Sequence, residues 1–144
     1  MKGVSFGSVA LVLAALAAAT STSFAADPTG TWLSQDGDSK IKITHCGQAI
    51  CGNLAWLKQP NDANGKPKLD ANNPDAGKRN RPVLGIPIIH GMRPDGADKW
   101  SGQVYNAEDG KTYSGSFTLA GANKAEIKGC VAIICKTRTW TRSN

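Results

Sequence analysis

Turn-forming residues interrupt this sequence at short, regular intervals, and no other feature limits its fold as strongly. From residue 26 onward, glycine, proline, asparagine or aspartate recurs every eight to twelve residues. An amphipathic helix needs apolar residues repeated every three to four positions over a longer segment, and the segments between the turns do not show that repeat. Short segments at this spacing are typical of an all-β chain.

Several of these segments alternate between apolar and polar residues. In Lys124–Val131, Ala125 and Ile127 alternate with charged residues, which gives the strand one buried face and one solvated face. The predicted strands are Gly30–Ser34, Lys40–His45, Asn53–Lys58, Val83–Ile89, Trp100–Asn106, Thr112–Leu119, Lys124–Val131 and Lys136–Arg142. Eight short antiparallel strands form either a sandwich or a closed up-and-down barrel, and closure removes both exposed edges.

The first 25 residues have the layout of a secretory signal peptide. A lysine at position 2 precedes an apolar run from Val9 to Ala19, and small residues follow up to Ala25. The run is too short for a membrane-spanning helix, which needs about 20 apolar residues. We therefore expect residues 1–25 to be cleaved after Ala25. Residues 26–144 then form one domain in the periplasm or outside the cell.

The charge of the chain is basic but dispersed. Seventeen lysines and arginines against 11 acids give a net charge of +6. The lysines stand singly between acids and glycines, whereas a nucleic-acid-binding protein concentrates positive charge and aromatic residues on one face. We expect no nucleic-acid partner and at most a weak contact with the anionic cell envelope.

Four cysteines form two pairs of equal spacing, Cys46 with Cys51 and Cys130 with Cys135. An even number of cysteines in an oxidising compartment favours disulfides. Residues five apart in one straight strand lie about 17 Å apart, far beyond the roughly 4.4–6.8 Å Cα separation of a disulfide. Bonding within a pair therefore needs a turn. A four-residue loop at 47–50 supplies one for the first pair. Residues 131–134 contain no glycine, so a wider bend or cross-pairing stays open for the second.

A metal site and a redox site are the alternatives for the cysteines. Zinc would use His45, Cys46 and Cys51 with His90, but thiolate zinc sites favour two to four residues between paired ligands. Redox-active cysteines are typically two residues apart near a helix N-terminus. We therefore predict two structural disulfides, no metal and no cofactor.

Residues 58–82 form a long irregular loop. They contain four prolines and one large apolar residue, Leu69. Loops of this length in small domains are often functional. The acids of the loop do not fit an EF-hand, because Pro74 and Arg81 occupy two of the ligand positions that begin at Asp70.

Trp32 and Arg142 lie on the first and last predicted strands. In a closed barrel those strands are neighbours, so the Arg142 guanidinium can lie on the Trp32 ring and close one end by a cation–π contact. This pair resembles the signature of the calycins, in which a glycine-x-tryptophan motif near the start meets an arginine of the last strand.

A longer pattern resembles the bacterial family called domain of unknown function 2147. Motifs along residues 30–142 occur in that family's order: GTW, CGQAICGNLAWLKQP, GKPKLDANNPD, RPVLGIPI, WSGQVYNAEDGKTYSG and TWTR. The resemblance implies a secreted or periplasmic, lipocalin-like, up-and-down antiparallel β-barrel of about eight strands. The cysteine pair that matches Cys46 and Cys51 recurs in the family, while the second pair is one variant among several. No catalytic residues follow from the resemblance.

The residues themselves give no catalytic pattern. Nearly all the acids stand beside glycine, asparagine or proline, where short carboxylates cap turns, and neither histidine is near a serine in a nucleophile elbow. We predict that the protein is not an enzyme. Rigid amphipathic side chains suit the wall of a ligand cavity. The candidates are Trp56, Trp100, Tyr105 and Tyr113.

Two functions follow as predictions. The first is a carrier or sensor for a small hydrophobic or amphipathic molecule such as a fatty acid. The alternative resembles the small calycin inhibitors of proteases: a protein-interaction module that uses the 58–82 loop, with Arg79 and Arg81 as contacts. Biotin capture of the avidin type, suggested by TGTW, is a minor third. The sequence does not determine the oligomeric state.

Overall fold

The structure of the protein, a computed structural model, describes residues 3–4, 7, 10–19 and 26–144. Residues 10–19 of the predicted signal peptide are exposed and adopt neither helix nor strand, and the predicted cleavage site at Ala25 lies outside the described residues. Within the described ranges, no helix is long and apolar enough to cross a membrane. The strands are β1 Gly30–Leu33, β2 Ser39–Cys46, β3 Ala49–Leu57, β4 Pro87–Pro94, β5 Lys99–Asn106, β6 Lys111–Leu119, β7 Lys124–Val131 and β8 Ile134–Ser143.

The eight strands form one closed antiparallel barrel in chain order, with β8 paired to β1. The predicted all-β, up-and-down, lipocalin-like barrel is confirmed. β1 is the shortest strand, and in its register with β8 Trp32 pairs with Arg142. The β1–β8 pairing joins Thr31–Leu33 to Thr141–Ser143 and closes the sheet, while the part of β8 before Thr141 pairs with β7 alone.

The up-and-down order gives the barrel two different ends. The connections β2–β3, β4–β5 and β6–β7 lie at one end, which we call the closed end. The connections β1–β2, β3–β4, β5–β6 and β7–β8 lie at the other, which we call the open end. Phe117 fills the closed end, with ring centroids 5.5 Å from Trp32, 6.0 Å from Trp100 and 6.4 Å from Trp140, all edge to face. Such pairs add to the stabilisation from apolar burial.

The predicted start of β4 at Val83 is wrong, since the strand begins at Pro87. Residues 83–86 form a turn instead, in which the Ile86 amide donates to the Val83 carbonyl. Val83 and Ile86 are buried all the same, which explains why the segment had the apolar pattern of a strand. The β3–β4 connection therefore runs from residue 58 to 86. It contains a short 3-10 helix, Ala76–Lys78, and two isolated bridges.

The predicted four-residue loop between Cys46 and Cys51 is also wrong. Cys46 pairs with Ala49 in the β2–β3 ladder, so the turn is only Gly47 and Gln48. Gly47 has a φ of 69°, the left-handed conformation that a two-residue hairpin turn needs at its first central position. The strands thus continue through both cysteines, and the two lie diagonally across the hairpin.

Candidate functional site

The barrel interior opens at the open end into a cavity of about 1290 Å³. Its floor is Trp140, which packs on Phe117 at the closed end. Residues of the β1–β2, β3–β4 and β5–β6 connections line it together with strand residues, so this volume combines space inside the barrel with its open mouth. Apolar residues from five strands and the long connection line the wall: Leu54, Leu57, Val83, Ile88, Val104, Ile127, Val131, Ile134 and Trp140.

The basic residues that line the cavity on strands share one face. Trp140 is buried in the core, and the two-residue alternation of β8 places Arg138 and Lys136 on the same inner face. Lys111 stands on the inner face of β6, two residues before Tyr113. None of these three cations forms an ion pair with another described residue. They are therefore free to meet an anionic group inside the cavity.

The acidic residues that line the cavity come from the connections at its mouth. They are Asp36, Asp38, Asp62, Glu108 and Asp109. Three of them accept hydrogen bonds within their own turns. Asp38 accepts from the Ser34 hydroxyl at 2.7 Å, Asp62 from the amides of Asn64 and Lys66, and Asp109 from the amide of Lys111. The strands thus place positive charge on the inner face of the barrel, whereas three of the five acids are hydrogen-bonded within the turns of the rim.

Tyr113 is the predicted ligand residue with the most direct place in the cavity. It lies on the inner face of β6, pairs with Val104 and lines the wall. Its hydroxyl donates a short hydrogen bond to Asp109. That bond raises the pKa of Tyr113 above its ordinary value, with smaller contributions from burial and from the Asp109 charge. The phenol ring is thereby held in one orientation at the mouth.

The long β3–β4 connection is held to the barrel by a buried carboxylate. Asp70 has no exposed surface. It accepts hydrogen bonds from the Tyr105 hydroxyl at 2.5 Å, from Asn73 Nδ2 at 2.8 Å and from Arg81 Nε at 3.0 Å, and Arg81 Nη2 lies 2.9 Å away. The amide of Asp70 also donates to the Arg81 carbonyl. Every buried polar side-chain atom in the described residues has a partner.

The network shifts two pKa values in opposite directions. Burial raises the pKa of the Asp70 carboxyl, but the hydrogen bonds from Tyr105, Asn73 and Arg81, together with the Arg81 charge, outweigh it, so the net pKa is below 3.8. Burial, the hydrogen bond to Asp70 and its charge raise the pKa of Tyr105 to about 12. Asp70 is therefore ionised and Tyr105 neutral at neutral pH, which is the pairing that their short bond requires.

Arg142 closes the seam between β1 and β8. Its guanidinium carbon lies 4.3 Å from the Trp32 ring centroid. Its nitrogens donate to the carbonyls of Ala122, Thr29 and Asp27 at 2.9, 2.7 and 2.9 Å. Gly30 leaves room for this side chain, because a Cβ there would lie 2.8 Å from Arg142 Nη1.

The comparison with protein families bears on the whole barrel. The family described as "Uncharacterized protein conserved in bacteria (DUF2147)" matches residues 30–142, which span all eight strands except the last residue of β8. The chain belongs to the DUF2147 family. A search of curated proteins gave no match to this chain.

A solved structure supports the fold of this DUF2147 barrel. The protein HP1028 from Helicobacter pylori, described as belonging to the lipocalin family, superimposes with a TM-score of 0.72 at 21% sequence identity. The match covers 83% of this chain and 84% of that chain. At this identity the likeness shows a shared lipocalin-like architecture.

The other three aromatic candidates lie apart from the cavity centre of the DUF2147 barrel. Trp56 is 41% exposed, and its ring carries Lys40 Nζ at 5.3 Å from the centroid. Trp100 packs on Phe117 at the closed end. Tyr105 lies on the face of β5 opposite Val104, at the cavity rim, with its hydroxyl bound to Asp70. Ligand contact by all four residues stays a prediction.

All four cysteines of the DUF2147 chain are bonded in two disulfides, Cys46–Cys51 at the closed end and Cys130–Cys135 at the open end. Cys130 and Cys135 stand directly opposite each other across a two-residue turn of Ala132 and Ile133. Cross-pairing is therefore not what the structure shows. Among the described residues, no group of three histidines, cysteines or acids is placed to hold a metal ion.

Sequence reasoning missed the inward cations and the Asp70 network. The segment KTRTW contained the signal for the first, because Lys136 and Arg138 share the alternation of Trp140. The contact between Asp70 and Tyr105 spans 35 positions and has no local pattern. Arg79, predicted as a partner contact, donates instead to the Asn73 carbonyl at 2.7 Å.

Proposed function

We propose that this protein is a non-enzymatic carrier for a small amphipathic molecule of the fatty-acid type. One observation carries the proposal: a cavity of about 1290 Å³ has apolar walls and unpaired cations on its inner strand faces. Apolar burial holds the tail, and a few placed polar groups orient the head. The head is anionic, because Arg138, Lys136 and Lys111 point inward from the strands.

Export is part of the same proposal. The apolar run before residue 20 and two disulfides support a site of action in an oxidising compartment such as the periplasm or the cell exterior. Native mass spectrometry of the protein purified from its own compartment tests both parts. We expect a chain that begins at Ala26 and a co-purifying mass that is lost on delipidation. A ligand-free chain that still carries residues 1–25 would contradict both.

A binding titration tests the anionic head. Arg138→Gln on the delipidated protein should weaken the affinity for a long-chain fatty acid by roughly three- to tenfold, because a charge-assisted hydrogen bond at a partly exposed site is lost. Affinity for the uncharged alcohol of equal chain length should not change. Lys128→Gln is the matched control, since Lys128 lies on the outer face of the neighbouring strand. Equal losses for acid and alcohol would count against an anionic head at Arg138.

The interaction-module alternative has weaker support. Its predicted contacts are both engaged inside the loop, Arg79 with the Asn73 carbonyl and Arg81 with Asp70. Each guanidinium already holds the loop through Nε and Nη2, so a partner would have to use the donors that remain on it.

A further inference from the structure

The tip of the β7–β8 hairpin is apolar and exposed. The hairpin tip consists of Val131, Ala132, Ile133 and Ile134. Val131 is 51% exposed, Ile134 71% and Ile133 96%. Single exposed apolar side chains are common on soluble proteins, but here four adjacent residues form the end of a projecting turn. Residues 131–139 are all exposed, and β8 has β7 but no β1 partner before Thr141.

The hairpin tip is held in this shape. Val131 pairs with Ile134, and directly below them Cys130 is bonded to Cys135 with a Cα separation of 4.1 Å. A two-residue turn closed by a disulfide cannot fold back to bury its isoleucines against the barrel. Ala132 and Ile133 are thus held at the end of the turn, with Val131 and Ile134 beside the cavity mouth, and this fixed arrangement reduces the entropy that a binding event would cost.

Basic residues follow the hairpin tip along both of its strands. Lys128 and Lys136 lie on opposite faces of the two strands, and Arg138 follows on the inner face. From residue 127 to 144 the sequence contains no acid. None of the three cations forms an ion pair with a residue in the part of the chain that the structure describes. Basic groups next to exposed aliphatic residues complement an anionic lipid surface, which offers negative headgroups above an apolar layer.

We propose that the hairpin tip docks the protein on anionic lipid. Ile133 and Ile134 enter the boundary between headgroups and acyl chains, and Lys128 and Lys136, the lysines nearest the turn, contact lipid phosphates. The convex shape of the tip favours lipid over protein. A protein partner would need an apolar pocket of matching shape with an acidic rim, whereas an anionic bilayer presents an apolar layer and negative headgroups over its whole surface. A few aliphatic residues and two charges give reversible rather than permanent attachment.

Docking at the tip also sets the orientation of the barrel. Val131 and Ile134 line the mouth of the cavity, so docking at the tip holds the barrel by the side of its open end that β7 and β8 form. The docking itself does not depend on what the cavity holds, and its test uses lipid vesicles alone.

Vesicle co-sedimentation of the oxidised protein tests the apolar part. We expect wild-type protein to bind vesicles of phosphatidylcholine mixed with phosphatidylglycerol, to bind pure phosphatidylcholine much less, and to be released by salt. The double variant Ile133→Ser with Ile134→Ser should lower the partition coefficient about tenfold. Leu84→Ser, an exposed leucine in the β3–β4 connection, is the matched control and should bind as wild type does.

A second pair of variants tests the charge. Lys128→Gln with Lys136→Gln should weaken binding to the anionic vesicles several-fold, whereas Lys42→Gln with Lys124→Gln, which removes the same charge elsewhere, should have a smaller effect. Thermal unfolding of each variant shows that the barrel is retained. Unchanged vesicle binding by the isoleucine double variant overturns the proposal. So does a wild-type dimer in sedimentation velocity that the same variant dissociates, since the tip would then be an interface between copies.

Discussion

Asp70 shows how a single side chain fixes a long connection to a barrel. A fully buried carboxylate is costly unless its oxygens are paired, and here Tyr105, Asn73 and Arg81 all donate to it. Tyr105 belongs to β5, whereas the other two belong to the connection between β3 and β4. The network therefore ties the rim of the cavity to a strand that is already fixed.

Asp70→Asn should lower the free energy of unfolding by about 2 kcal/mol at pH 7, because it leaves Arg81, which is partly exposed, without its charged partner. The folded pKa of Asp70 lies below its ordinary value of 3.8. The carboxylate therefore stabilises the fold above pH 3.8, and this contribution is lost as the pH falls through the lowered folded pKa. Urea unfolding of both proteins at pH 7 and near pH 2 measures the difference. The difference in unfolding free energy between the two proteins should be smaller near pH 2 than at pH 7. An equal difference at both pH values would show that Asp70 is not ionised in the folded protein.

At the scale of single residues, alternation gave the faces of strands but not the partners of the side chains. From the sequence alone, either Val104 or Tyr105 could face the barrel interior. The packing of Trp100 on Phe117 decides between them, because Val104 lies on the same face of β5 as Trp100. Trp56 looked suitable for a cavity wall, yet it lies outside with Lys40. Aromatic character alone does not distinguish a wall from a surface, since both environments accept an amphipathic ring.

At the scale of elements, the two disulfide-bonded hairpins both have two-residue turns, but the turn residues differ. Gly47 adopts the positive φ of its turn at little cost. In the second hairpin Ala132 has a φ of 52° at the equivalent position. A left-handed conformation costs a residue with a Cβ roughly 1–2 kcal/mol, so the hairpin tip is built at some loss of stability.

Ala132→Gly should therefore raise the free energy of unfolding, by about 1 kcal/mol, because glycine adopts positive φ without the steric penalty but loses more entropy on folding. Denaturant unfolding with both disulfides intact is the measurement. Gly47→Ala is the reverse substitution in the other hairpin and should lower stability by a similar amount. If Ala132→Gly were neutral or destabilising, the turn would not be strained at Ala132.

The elements themselves were largely predictable, and the exceptions have a local reason. Seven of the eight predicted strands match observed ones to within a few residues at each end, because turn residues and alternation coincide there. β4 differs because Val83 and Ile86 are buried in a turn, and burial without alternation cannot distinguish a turn from a strand. The route of residues 58–86 was not predictable, since the Asp70 network depends on long-range contacts.

At the scale of the whole molecule, the strand count fitted a sandwich as well as a barrel, and closure was predicted from the resemblance to the DUF2147 family. Three residues fit together where β1 meets β8. Gly30 leaves room for the Arg142 side chain, and the Trp32 ring lies beneath the Arg142 guanidinium. The volume of the cavity was not predictable, because it depends on how far the interior side chains reach. Phe117 and three tryptophans fill one end, and no comparable cluster of the described residues fills the other.

Arg142→Lys should lower the free energy of unfolding by about 2 kcal/mol, because one ammonium cannot replace a planar fork that reaches three carbonyls while lying on a ring. Calorimetry or urea unfolding measures the loss. Arg93→Lys, on the exposed outside of β4, is the control and should change stability by less than about 0.5 kcal/mol. Equal effects of the two substitutions would show that the seam does not depend on the guanidinium geometry.

The same seam also governs when the barrel can form. Arg142 and Thr29, which it joins, are 113 residues apart, and β8 is the last strand to be synthesised. Until then β1 has β2 on one side and an unpaired edge on the other, and such edges invite pairing with other chains. The sheet can therefore close only after residues 141–143 have been synthesised. Until then the free edge of β1 can pair with a strand of another chain.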